Sequence, residues 1–310
     1  MGRRADSRSD PVDGLLLLNK PSGLTSNQAL QKVKRLLNAR KAGHTGSLDP
    51  SATGMLPLCF GEATKVCAFL LDADKTYRVT ARLGIATDTG DADGSEIRVA
   101  EVPELSAENW QELLESFLGE SMQVPPMYSA LKKDGKRLYE LARKGVTVER
   151  EPRPVRIDDI NLLEIAGNRL IFRVHCSKGT YIRVLVEDLA AKAGTVAHTA
   201  HLHRETVAGF EAAEMHDLRS VEEAARDDLR LLREQLLPPD SALQSMAAVK
   251  LDENGGDRFC VGQEVSVDIQ GSTGLVRVYA AADEFIGVGE LSGNGGLAPK
   301  RVFRLGEENP

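Results

Sequence analysis

The sequence predicts an α+β protein that ends in a second, small β-barrel, and three observations lead there. Alternating apolar runs (Tyr77, Val79, Ala81, Leu83 and Leu170, Phe172, Val174, Cys176) carry the two-residue period of half-buried strands. Amphipathic stretches of helical spacing, such as residues 107–118, lie between them. Beyond Pro238-Pro239 the chain turns rich in Gly and Val, with short alternating runs at 264–269, 275–279 and 285–288, the pattern of a small barrel. The organisation expected is a disordered polar tail over 1–12, a first domain over 13–240 and a second over 247–305.

Taken in order, residues 14–20 are a short apolar run closed by Pro21-Ser22-Gly23, a buried strand and a turn. Thr25 or Ser26 can cap a helix to about Ala39, with Ala29, Val33, Leu36 and Leu37 on its apolar face. Residues 41–54, punctuated by Gly43, Gly46, Pro50 and Gly54, read as a shaped loop. Residues 62–74 read as helix, and 87–95, a run of Asp, Gly, Thr and Ala, as an exposed loop. Further helices are expected over 135–144 and 181–191, and a frayed end at 307–310.

The first ten residues mix Arg, Asp and Ser, and the longest early apolar run is Leu15 to Leu18, so neither a signal peptide nor a membrane span is expected. Cys59, Cys67, Cys176 and Cys260 are widely spaced, which argues against zinc and against a disulfide framework and suits a reducing cytoplasm. Net charge is −7, yet it is unevenly placed. Residues 14–48 hold six Lys or Arg and no acid; 131–156 hold nine basic residues against four acids; 211–240 hold nine acids against four arginines. An acidic protein can therefore still present a basic face to a nucleic acid.

The segment that points to chemistry is Gly43-His44-Thr45-Gly46-Ser47-Leu48-Asp49-Pro50-Ser51-Ala52-Thr53-Gly54-Met55-Leu56-Pro57. A single acid sits in a glycine-rich loop, with Pro50 biasing Asp49 toward extended backbone. The spacing is not that of a phosphate-cradling P-loop, and no second carboxylate is marked out as a glycosidase needs.

This loop resembles the signature of the TruB family of tRNA pseudouridine synthases, which act on uridine 55 in the T arm. Further blocks are similar in family order: Asn19-Lys20-Pro21-Ser22-Gly23 with Thr25-Ser26, Lys75-Thr76-Tyr77, Pro125-Pro126-Met127-Tyr128-Ser129-Ala130-Leu131-Lys132, and Cys176-Ser177-Lys178-Gly179-Thr180-Tyr181-Ile182-Arg183. The resemblance implies the pseudouridine synthase fold, a mixed and mostly antiparallel sheet with flanking helices, followed by a PUA-like RNA-binding barrel. It implies Asp49 as catalytic nucleophile, acting at the sugar or at the base, with no cofactor and no metal. It implies that Tyr77 stacks on the target base, Arg183 pairs with Asp49, Tyr181 and Leu202 line the uracil pocket, and His44 fills space beside the extruded nucleotide. The partner implied is the T stem-loop of tRNA, bound by a monomer in the cytoplasm. The family commonly carries two basic residues after Leu202; here His203-Arg204 stand there, which leaves one phosphate contact in question. The alternatives are a guide-RNA-dependent synthase acting on ribosomal RNA, and a protein that binds or folds RNA with catalysis secondary.

Overall fold

A computed structural model gives the structure, which describes residues 10–306 apart from Ala130, Asp134 and Gln270. Residues 1–9 of the expected tail, and the expected frayed end, lie outside the described residues. Asp10 and Val12, inside the expected tail span, are packed: the Asp10 N–H donates to the Asn38 carbonyl at 3.0 Å, and Val12 is buried beside Val33 and Leu37.

β1 (Gly14–Lys20) is the leucine run, buried on both faces. α1 (Ser26–Leu36) begins where Thr25 and Gln28 cap each other. The Thr25 hydroxyl accepts from the Gln28 N–H at 3.1 Å and the Gln28 side chain accepts from the Thr25 N–H at 2.9 Å. The stretch expected to be wholly irregular contains β2 (Ala42–His44), because it folds back along the end of β3 (Thr53–Phe60) and pairs Ala42 with Phe60 and His44 with Leu58. A 3-10 turn, α2 (Cys67–Asp72) and β4 (Lys75–Leu83) follow.

A hairpin of β5 (Ile85–Thr87) and β6 (Glu96–Val99), then α3 (Ala107–Glu115), lead to β7 (Gly119–Gln123). The basic segment 124–152 holds the small hairpin β8 (Lys132–Lys133) and β9 (Lys136–Arg137) and α4 (Leu138–Ala142). Then come β10 (Arg153–Ala166), β11 (Arg169–Cys176), α5 (Ile182–Lys192) and β12 (Ala197–Val207). β13 (His216–Asp217), α6 (Leu218–Asp227) and α7 (Leu229–Glu234) complete this half.

The main sheet runs β13-β1-β3-β12-β4-β11-β10-β7, with β2 attached to β3. Only β1 with β13 and β3 with β12 pair in parallel, so the sheet is mixed and mostly antiparallel, as expected. Tyr77, Val79, Ala81 and Leu83 of β4 pack with Leu185, Val186 and Leu189 of α5. A second cluster joins β1 and β3 to α1 and α6. β3 and β12 share two register pairs, His203 with Thr53 and Arg204 with Gly54, and the site is built beside this contact.

The C-terminal unit comprises β14 (Ala247–Lys250), α8 (Glu253–Cys260), β15 (Val265–Ser266), β16 (Gly274–Tyr279), β17 (Phe285–Leu291) and β18 (Gly296–Val302). They form a sheet of order β14-β16-β17-β18-β15, curled round Phe259 of α8. A side chain at Gly287 or Gly289 would meet the Phe259 ring at about 3 Å, so both glycines make room for it. Phe285, Val288 and Phe303 share a buried cluster with Leu15, Leu17, Met55 and Cys59, which docks this sheet on the first half of the chain.

Candidate active site

The loop between β2 and β3 is pinned on several sides, and the pins fix Asp49. The Ser26 hydroxyl of α1 accepts from the Leu48 N–H at 2.8 Å and lies 3.1 Å from the Leu48 carbonyl. The buried Lys20 ammonium donates to the carbonyls of Pro21 and Leu24 at 2.8 Å and of Pro50 at 3.2 Å, while the Gly23 N–H donates to Pro50 at 2.8 Å. Arg204 donates to the Met55 carbonyl at 2.7 Å and the Gly46 carbonyl at 2.9 Å. Leu48 and Ala52, on either side of Asp49, are buried in one cluster with Tyr77 and Ile182. A loop of this composition would be mobile alone; here two strands and a helix hold it.

Arg183, in the first turn of α5, brings the acid into a charged network. Its Nη2 lies 3.2 Å from Asp49 Oδ2 and donates to the Tyr128 carbonyl at 2.6 Å; its Nη1 lies 3.4 Å from Asp91 Oδ2 and donates to the Thr89 carbonyl at 2.9 Å. The Arg183 side chain is 8% exposed and that of Asp49 44%, so the cation is enclosed while the carboxylate keeps an open edge. Crowding by protein pushes the Asp49 carboxyl above the ordinary carboxylate range; Arg183 opposes this, and Asp91 and Asp93 add to it. Burial likewise lowers Lys20 to about 8.

Asp91 corrects in part the expectation that 87–95 is an exposed loop. The Thr89 hydroxyl donates to its carboxylate at 2.6 Å, the Thr87 hydroxyl to its carbonyl at 2.7 Å, and the Thr199 N–H of β12 to the Gly90 carbonyl at 2.9 Å. Contacts with β12 and α5, distant in sequence, bury Thr87, Gly90 and Asp91, while Asp88, Ala92, Asp93 and Ser95 stay exposed. Gln123 was likewise passed over: its side-chain amide holds the backbone of Tyr181 in both directions, accepting from the N–H at 2.7 Å and donating to the carbonyl at 3.1 Å. No local pattern marks either residue.

The remaining expected site residues fall in different relations to Asp49. Tyr77 is buried on β4 opposite Arg204, and burial raises its phenol, which keeps it neutral. Leu202, opposite Val79, packs against the same cluster as Tyr77. Tyr181 caps the start of α5 two residues before Arg183. His44 ends β2; its Nδ1 is buried with no partner among the described residues, and burial, with Arg204 nearby, pushes its pKa down. Arg204 is 1% exposed and fastens the loop that carries Asp49, while His203 points to the other face of the sheet, where it bonds the Thr53 hydroxyl at 2.8 Å. Neither residue of that pair is thus an open cation beside Asp49.

Among the described residues, Asp74, Asp158 and His175 are close enough to share a metal ion. Arg156 already pairs with both carboxylates, at 3.1 and 2.7 Å, and the His175 Nδ1 bonds the Thr76 hydroxyl, so the group is a complete ion-pair cluster.

Three family models tile the chain: the N-terminal domain of TruB family pseudouridylate synthases over residues 34–182, the tRNA pseudouridylate synthase B C-terminal domain over 183–244, and the C-terminal domain of pseudouridine synthase II TruB over 247–303. A protein named tRNA pseudouridine synthase B from Tolumonas auensis is 46% identical, covering 100% of this chain and 98% of its own. One of the same name from Dechloromonas aromatica is 49% identical over 96% and 97%. Among solved structures, a Cbf5-Nop10-Gar1 complex superposes with a TM-score of 0.72 at 25% identity, covering 94% of this chain and 84% of that one. The chain belongs to the TruB family of pseudouridylate synthases.

Proposed function

We propose that this chain, acting alone in the cytoplasm, converts uridine 55 in the T arm of tRNA to pseudouridine, with Asp49 as the nucleophile. One observation carries the reading: the Asp49 carboxylate is held by Arg183 on one side and left open on the other, inside a loop that packs against Tyr77. In the reaction the N1–C1′ bond breaks, the uracil turns in place, C5 bonds to C1′ and the C5 proton leaves. The carboxylate supplies the nucleophile and the enclosed site keeps the free base near the sugar. Arg183 stabilises the ionised form that must act.

The target base has to leave its stack first, at a cost of roughly a few kcal/mol. Stacking on Tyr77 offsets about 1–3 kcal/mol of that. Tyr181 and Leu202 line the pocket that receives the base, and His44 fills the space beside it. Residues 13–240 form the catalytic domain and 247–305 a PUA-like RNA-binding domain. The basic segment 131–156 meets the phosphates, and a monomer suffices.

Asp49→Asn tests the nucleophile. Pseudouridine formation in a T-arm transcript is expected to fall to the uncatalysed level, with RNA affinity held within about threefold. Asp91 still partners Arg183 in the variant. The raised carboxyl pKa means that the folded chain binds this proton more tightly than the unfolded one. The ionised group therefore costs stability at neutral pH, a cost relieved as pH falls, and the melting midpoint of the variant is expected to be unchanged or higher. Retained activity, or joint loss of activity and binding, would remove Asp49 from this role.

A further inference from the structure

Gln123 is the last residue of β7, buried, and opposite Arg153 at the start of β10, so it stands where the basic segment 124–152 leaves and rejoins the sheet. Its side-chain amide reads the Tyr181 backbone as a neighbouring strand would, with one bond in each direction. Tyr181 is the residue before α5, and its carbonyl also accepts the first helical bond, from the Leu185 N–H at 3.1 Å. Tyr181 makes no side-chain cap of its own, so the Gln123 amide supplies the polar support that this helix start lacks. A cavity of about 230 Å³ opens beside the amide, lined in part by Gln123, Leu185 and Asp188.

We propose that Gln123 is a positioning residue for the reaction, its amide fixing the Tyr181 backbone so that the Tyr181 ring and the Arg183 guanidinium meet the substrate and Asp49 in the working geometry. The proposal rests on the reading of Tyr181 and Arg183 given above. Three contacts meet at one joint. Gln123 holds Tyr181, Arg183 two residues on holds Asp49, and the same guanidinium holds the Tyr128 carbonyl in the segment that Gln123 begins. Without the amide, the Tyr181 N–H loses its partner and the start of α5 can shift. Misplacement of a site group by about 1 Å lowers a rate by as much as ~100-fold.

Two variants test this by single-turnover pseudouridine formation on a T-arm transcript, each expressed as a ratio to active wild type. An inactive wild type would instead count against the function itself. Gln123→Ala is expected to lose about 10- to 100-fold in rate, with RNA affinity changed by less than about threefold. In Gln123→Glu an ionised carboxylate accepts from the Tyr181 N–H but sets a negative oxygen against the Tyr181 carbonyl, whereas the protonated acid restores both bonds. The charged groups around position 123 are Glu120 on β7, Arg153 on β10, and Asp188 and Lys192 on α5. The ratio of Gln123→Glu to wild type is expected to climb toward one as pH falls from about 8 to about 5.5. Recovery of rate at an unchanged folded fraction, followed by circular dichroism over the same pH range, separates positioning from folding, and the measurement decides even where Gln123→Ala fails to fold. A ratio flat with pH, a Gln123→Ala rate equal to wild type, or loss of RNA binding in step with rate would each overturn the proposal.

Discussion

Arg183 divides one guanidinium between two carboxylates, and that division sets how the site answers to pH. Asp49 is held above the ordinary carboxylate range by burial, with Asp91 and Asp93 adding to the shift. Ionised Asp49 is present above its folded pKa and lost as pH falls through it, so the acid limb of the wild-type rate lies above the ordinary Asp value of about 3.9. Asp91→Asn removes one like charge and leaves Arg183 freer for Asp49. Both effects favour ionisation, so the acid limb is expected at lower pH than in wild type, read from single-turnover rates. The plateau rate is expected to fall about 10-fold or more, because Arg183 loses one of its anchors. An acid limb that stays put, or moves up, would show that Asp91 does not act on Asp49 through charge. At this scale the sequence was informative for Asp49, Tyr77 and Arg183, which lie inside recognisable blocks. It was silent on Asp91 and Gln123, whose neighbours come from β12 and α5, and it left open the phosphate role of Arg204, whose burial depends on the fold around Gly46 and Met55.

The parallel contact of β3 with β12 is the element on which the Asp49 loop rests. At Gly54 the backbone takes φ +101°, and a Cβ there would lie 2.2 Å from the Arg204 carbonyl oxygen. Gly54→Ala combines an unfavourable backbone conformation with a clash against main chain, and a loss of about 2 kcal/mol or more is expected from urea unfolding. An unchanged midpoint would mean that the two strands need not approach so closely. α1, β4, β11 and α5 stand within a few residues of where their periodicity placed them, because each has one clear apolar face, and β1 stands where its continuous leucine run placed it. β12 went unassigned. Its sequence, Ala-His-Thr-Ala-His-Leu-His-Arg-Glu-Thr-Val, shows no clean alternation, since a buried His198, an exposed His201, a half-buried His203 and a wholly buried Arg204 interrupt it. Its place in the sheet comes from pairing with β4, which no local pattern encodes.

Across the whole molecule, charge is distributed along the sheet order. The acidic segment 211–240, which holds β13 and α6, lies at one edge, and the basic segment 124–152 joins β7 to β10 at the other. A net charge of −7 is thus compatible with a phosphate-facing edge. The C-terminal sheet shares a buried apolar cluster with β1 and β3, so it is docked rather than tethered. The alternating runs of the sequence disclosed that sheet but not its docking, which depends on a cluster that gathers residues as far apart in the chain as Leu17 and Phe285. Asp49, Arg183 and Tyr77 come together within this one chain, and the central claim of the proposal is that the chain alone performs the isomerisation. The most direct measurement is tritium release from unmodified tRNA transcripts labelled at C5 of uridine, with purified protein and neither cofactor nor guide RNA. Release of one equivalent, from the T-arm uridine alone and absent with Asp49→Asn, is the expected result. Tight tRNA binding without release, or release from uridines outside the T arm, would contradict the account.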